Sequence, residues 1–133
     1  MKYFYTLLCL FLLSCNDVDF SLDDNNSFSS VTFKVNGKEV NRQAKIRTLF
    51  IESGFFKFDD TYNIGNLPFK KGYSEEINFA ASLSLEYEDK TIKNFNSYLI
   101  DIQMFRDNVL IQERAFMIDY LGKKVNFDVM INK

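Results

Sequence analysis

The side chains best suited to recognising a ligand lie between Gly54 and Tyr73. Tyr62, Phe69 and Tyr73 supply rings there and Lys70 and Lys71 supply cations, with Phe55, Phe56, Phe58, Asp59, Asp60, Asn63 and Asn66 close in sequence. Rings stack on flat apolar faces while polar groups fix orientation, so this segment is the candidate platform for a glycan or peptide ligand. The competing expectation is that the rings plug the end of a sheet protein and that the Asn, Gly and Pro residues shape turns. Asp59-Asp60-Thr61-Tyr62-Asn63 also places oxygen ligands at alternate positions. Ile64 stands where a calcium loop needs glycine and no acid closes the loop, so a solvated turn is expected and no metal is called for.

Catalytic chemistry is constrained by what the chain lacks. It contains no histidine, which removes the serine triad, the cysteine–histidine dyad and histidine-based zinc and iron sites together. Glu75-Glu76, and Glu86 with Glu88-Asp89, are the remaining carboxylates able to act as an acid–base pair, but catalytic acids meet in space and no spacing pairs them here. No catalytic residue and no cofactor is therefore expected. The basic groups Arg42, Lys45 and Arg47, Lys70-Lys71 and Lys123-Lys124 read as edge and turn charges that discourage stray strand pairing.

The elements that must position these residues alternate with a period of two. Val31, Phe33 and Val35 share one face, and Asn36-Gly37 follows as a hairpin signal with Lys38 to Asn41 as the return strand. Lys45 to Ile51 is rich in strand formers with mixed faces, which predicts a bulge or a partly covered face. Ser53-Gly54 turns into Phe55 to Asp59. Ile77 to Tyr87 alternates throughout and lacks the i, i+3, i+4 stripe of a helix. Tyr98 to Phe105 is followed by a reversal at Asp107-Asn108, then by a strand from Val109 to Tyr120. Gly122-Lys123-Lys124 leads into Val125, Phe127, Val129 and Ile131. Aromatic residues make up 17% of the chain, with one Pro and no Trp. The expected fold is all-β: an antiparallel β-sandwich of about seven to eight strands, with a small barrel as the alternative.

The N-terminus carries a different signal. Tyr3 to Leu13 is an apolar run broken only by Thr6, far short of the roughly 20 residues that span a bilayer. It ends in Leu12-Leu13-Ser14-Cys15, which resembles the lipobox of bacterial lipoproteins, although a residue smaller than Leu13 is more usual there. A plain secretory signal is the rival reading and prefers two spaced small residues before the cut, of which Ser14 is one. Cys9 lies inside the apolar core and would leave with the leader. The resemblance implies a type II signal peptide over residues 1–14 and fatty acyl chains, palmitate among them, on Cys15. Residues 15–29 then form the lipidated cysteine and a flexible acidic linker, and residues 30–133 a single β-sandwich domain. The acidic stretch from Asn16 to Ser27 also resembles the surface-export signal of Bacteroidetes lipoproteins.

The segments Phe33-Lys34-Val35-Asn36-Gly37-Lys38-Glu39 and Tyr62 to Tyr73, behind such a cysteine, are similar to those of small lipoproteins of Bacteroidetes. Glu113-Arg114 stands where those proteins commonly carry a glycine. The resemblance brings no activity with it. Without the leader the net charge is about −3, which argues against nucleic acid. The expectation is a lipid-anchored binding or assembly module of the bacterial outer membrane or cell surface, held to the membrane and contacting a glycan or protein ligand. The alternatives are a carboxylate-dependent hydrolase of envelope polymers and an envelope or immunity-type factor that contacts a protein partner.

Overall fold

The computed structural model describes residues 28–132. The apolar run, Cys15 and the acidic stretch through Ser27 lie outside the described residues. Eight strands follow: β1 (Phe28–Gly37), β2 (Ala44–Glu52), β3 (Phe55–Ile64), β4 (Phe69–Glu76), β5 (Ala81–Asp89), β6 (Tyr98–Arg106), β7 (Val109–Ile118) and β8 (Lys124–Ile131). They form two antiparallel four-stranded sheets, ordered β4-β1-β6-β7 and β3-β2-β5-β8, packed as a β-sandwich. Among the described residues no helix is long and apolar enough to cross a membrane.

Alternation builds the core. Val31, Phe33 and Val35 of β1, with Ile100, Ile102 and Met104 of β6, face inward from one sheet and are fully buried. Ile46, Phe50, Leu83, Leu85 and Tyr87 meet them from the other. Phe33 lies edge-on to Phe58 at 6.0 Å, the geometry that aromatic quadrupoles favour, and Phe58 stacks on Tyr73 at 3.7 Å. The two hairpins, β2–β3 and β6–β7, turn through paired positive φ values. Ser53 and Gly54 adopt 50° and 82°, and Asp107 and Asn108 adopt 51° and 64°. Two successive positive φ values match the twist of the flanking strands, and short polar residues or glycine tolerate them. The mixed faces of β2 resolve as expected, through a register shift between Phe50 and Ile51.

Asn36-Gly37 does not make a hairpin. Both residues continue β1 and pair with Asp101 and Ile100 of β6, and Lys38 to Asn41 is not a strand. Gly37 serves close approach instead of a turn, since a Cβ there would lie 2.7 Å from Leu67 Cδ1. The eighth strand is β4, where the sequence shows a ring-rich candidate site in place of a strand. Ile77 to Ala80 precedes β5 instead of belonging to it. Gly122 adopts a φ of 77° in a connection that crosses between sheets, since β7 and β8 lie in different ones.

One end of the sandwich is closed by Glu52, whose buried carboxylate accepts the Asn78 amide at 2.6 Å and the Phe79 amide at 2.8 Å. Lys57 Nζ lies 3.1 Å from its other oxygen. Burial alone would raise the Glu52 pKa, but the Phe79 amide, Lys57 and the Asn78 amide outweigh it and hold the carboxyl below its ordinary range. A depressed folded-state pKa stabilises the fold above the unfolded value of about 4.3 and loses that contribution as pH falls through the folded value. Glu52→Gln is therefore expected to lower stability at neutral pH and to flatten its acid-side decline, read from urea midpoints across a pH series.

Candidate functional site

Four of the five sequence-predicted platform residues, Tyr62, Phe69, Lys71 and Tyr73, lie along one seam, and Lys70 stands on the opposite face of β4. β3 and β4 are edge strands of opposite sheets. Tyr62 and Tyr73 bring their hydroxyls to 2.8 Å, and Thr48 Oγ1 reaches the Tyr73 oxygen at 2.7 Å. Tyr73 donates to Asp60 Oδ2 at 2.9 Å. A phenol has one proton, so with that proton on Asp60 the Tyr73 oxygen accepts from Thr48 and Tyr62. Burial pushes the Tyr73 phenol well above its usual range, opposed by the Thr48 bond and reinforced by Tyr62 and Asp60. Lys71 Nζ lies 5.6 Å from the Tyr62 ring centre and 5.4 Å from that of Tyr73, within cation–π range.

This seam serves the core more than a ligand. Phe69 is buried, Tyr62 and Tyr73 are half-buried against the core, and Lys70 alone of the five stands fully exposed. The tyrosine hydroxyls are committed to internal partners. Asp59 and Asp60 part company as well: Asp60 joins the seam, while Asp59 pairs with Arg47 through bonds of 2.7 and 2.6 Å. Neighbouring strand residues point to opposite faces, so these two acids cannot share a cation. Among the described residues no group of three or more metal-ligating side chains is assembled.

A polar groove occupies the outer face of the β3-β2-β5-β8 sheet. Its volume is about 580 Å³, and Lys45, Arg47, Thr61, Glu86, Glu88, Lys124 and Asn126 line it. Registry explains the composition, because Arg47 stands between Thr61 and Glu86, and Glu88 between Lys45 and Lys124. Arg47 Nη1 is 3.6 Å from Glu86, and Lys90 and Lys124 lie 2.6 and 3.6 Å from Glu88. Lys90, with Lys124 and Lys45 behind it, holds the Glu88 carboxyl below its usual range. Arg47 does the same for Asp59. Charges of both signs alternate across the groove, and Lys45 has no ion-pair partner among the described residues.

The end of the domain away from Glu52 hides a network that sequence reasoning missed. Asp89, 1% exposed, accepts from Thr91 at 2.7 Å, from the Tyr98 hydroxyl at 2.7 Å and from the Gly122 amide at 3.2 Å. Tyr87 and Tyr98 join across the sheets at 2.8 Å. Burial pushes the Tyr87 phenol up to about 12 and moves that of Tyr98 further still, with Tyr87 and Asp89 adding to the effect. Arg42 is not part of a surface basic cluster. It is 4% exposed, lies 4.3 Å from the Tyr98 ring centre, and pairs with Glu39 and with the Asn96 carbonyl at 3.2 Å. Its Nε is buried without a partner. The signal for Asp89 is present in the sequence, since extending the alternation of Leu83, Leu85 and Tyr87 by one step puts residue 89 inside. Arg42 lies in a connection and has no such signal.

No family model matches the chain, and no curated protein matches it. The buried network yields a direct test. Tyr98→Phe removes a donor from Asp89 and the partner of Tyr87, and is expected to cost about 1–3 kcal/mol in urea unfolding. Tyr120→Phe, at an exposed position, should stay within about 0.5 kcal/mol of the parent.

Proposed function

We propose that the protein is a lipid-anchored component of the bacterial outer membrane or cell surface, acting as a non-enzymatic binding or assembly module. The observation that carries this reading is Cys15, which follows Ser14 at the end of an apolar run too short to span a bilayer and well ahead of Phe28, where β1 begins. A cysteine so placed in the sequence matches the position at which bacterial lipoproteins are acylated. At ~0.8 kcal/mol per buried methylene, one acyl chain binds only marginally, whereas two or three make a stable anchor. The sandwich then acts as a tethered domain whose outer groove meets the ligand.

The groove favours a polar chain with its own donors and acceptors, a glycan or an extended peptide, because its lining offers cations, carboxylates and amides in turn. It supports hydrolysis less well. Glu86 and Glu88 stand two residues apart on one face of β5, the two carboxylates that could form an acid–base pair there. A general acid, however, needs a raised pKa, and the lysines around Glu88 lower it. A partner-protein role uses the same groove, with a peptide in place of a sugar.

Cys15→Ala is expected to move the protein from the membrane to the soluble fraction, with loss of the acyl mass from its N-terminal peptide. A membrane-held protein carrying an unmodified thiol at position 15 would overturn the anchor. On a glycan and peptide array, Lys45→Glu with Lys124→Glu should weaken any captured ligand at least tenfold, about 1.4 kcal/mol. Binding unchanged by both substitutions would remove the groove as the site.

A further inference from the structure

We propose that the end of the sandwich from which the N-terminal segment departs is a membrane-facing surface, with Phe28, Phe55, Phe56 and Phe79 resting in the lipid interface. The inference rests on the acylated Cys15 of the proposed function and adds an orientation to it. Phe28, Phe55, Phe56 and Phe79 are 67%, 76%, 62% and 63% exposed, an unusual display in a domain whose other described phenylalanines are buried or half-buried.

The strand register gathers these rings at one end. Phe28 pairs with Glu76, the last residue of β4. The chain then runs through Ile77 to Ala80, where the Phe79 amide binds Glu52. Glu52 itself pairs with Phe55 on one side and Ala81 on the other. Phe56 lies opposite Ile51, whose other neighbour Ser82 pairs with the exposed Met130. β1 thus starts at the aromatic end and carries the chain away from it.

The occupant is argued from the length and exit point of the chain before β1. The thirteen residue-to-residue steps from Cys15 to Phe28 reach at most roughly 45 Å, at ~3.3–3.6 Å each. The ten residues of β1 measure about 33 Å. Presenting the far end to the same bilayer would require the chain to run back along the whole domain, using about three quarters of that reach. Presenting the near end requires nothing of it. The far end also carries Val40, Ile92, Tyr120 and Leu121, but among Lys38, Lys90, Lys93 and Lys123. The near end has Glu75, Glu76 and Asp107 against Arg106, and its Lys57 is paired with Glu52. It therefore suits a zwitterionic lipid surface better than an anionic one.

The chain contains no tryptophan, so a single introduced indole reports its own surroundings. The acylated full-length protein carrying Phe55→Trp or Phe79→Trp would be reconstituted into phosphatidylcholine vesicles, with Leu121→Trp as the far-end control. The expected result is blue-shifted emission at 55 and 79 that bromolipid quenches at least twofold more than at 121. Equal quenching at all three positions, or stronger quenching at 121, overturns the orientation. Blue-shifted but unquenched emission at 55 means that another protein surface, a second copy included, covers the rings, and it also overturns the proposal. Failure to float with the vesicles removes the anchor and this inference together. Flotation with dry, unquenched probes removes this inference alone.

Discussion

Among the described residues only β2–β3 and β6–β7 are hairpins, and every other connection between strands passes from one sheet to the other. Neither sheet can be completed from a continuous piece of chain, so each depends on being seated against its partner. That seating combines apolar interdigitation with hydroxyl bonds across the interior, from Tyr87 to Tyr98 and from Thr48 to Tyr73. Apolar contact is non-directional, whereas a buried hydroxyl must find its partner at hydrogen-bond distance or carry the cost of an unmade bond. The tyrosines thus constrain how far one sheet can slide over the other. Asp89 extends the constraint to the loops, because it ties Thr91 and Gly122 to the same cluster.

A sandwich leaves four edge strands, and two of them turn a charge inward. Lys71 of β4 lies over Tyr62 and Tyr73, and Asp60 of β3 accepts from the Tyr73 hydroxyl. An inward charge at an edge makes addition of another strand costly, and it blunts association without shortening the strand. At the β3–β4 seam the two devices face each other with rings between them. This explains why a segment so rich in aromatic and ionic side chains closes the domain and commits Asp60 and its two tyrosine hydroxyls internally.

The surface divides by chemistry as a consequence. The outer face of the β3-β2-β5-β8 sheet concentrates ion pairs because its outward positions on adjacent strands bring Lys45, Arg47, Glu86, Glu88 and Lys124 into one patch. The end around Glu52 concentrates rings because the β2–β3 hairpin and the β4–β5 connection converge there. Under the proposed tether, the aromatic end would face the bilayer and leave the polar groove at the side of the domain, open to solvent. Attachment and recognition would then use separate surfaces.

Much of the secondary structure was legible from local chemistry. Alternation marked β1, β5, β6 and β8, the mixed faces of β2 announced its bulge, and Ser53-Gly54 and Asp107-Asn108 marked the two hairpin turns. Those signals are short-range, and they also misled: Asn36-Gly37 has hairpin chemistry, yet it lies in a strand held by β6, because pairing with a distant strand outweighed a local turn preference. β4 was hidden because its inward positions include Lys71, tolerable only where Tyr62 and Tyr73 receive the cation. The candidate rings gather as their spacing suggests, but whether they face solvent or core depended on which edges meet. By itself the sequence determined the strand periodicity, the hairpin turns and the absence of histidine chemistry, all properties of residues close in the chain or of composition. Tertiary structure alone decided strand partners, the burial of Arg42, and the gathering of an outer groove and an aromatic end. Each of these depends on contacts between residues far apart in sequence, whose free energy no local pattern contains.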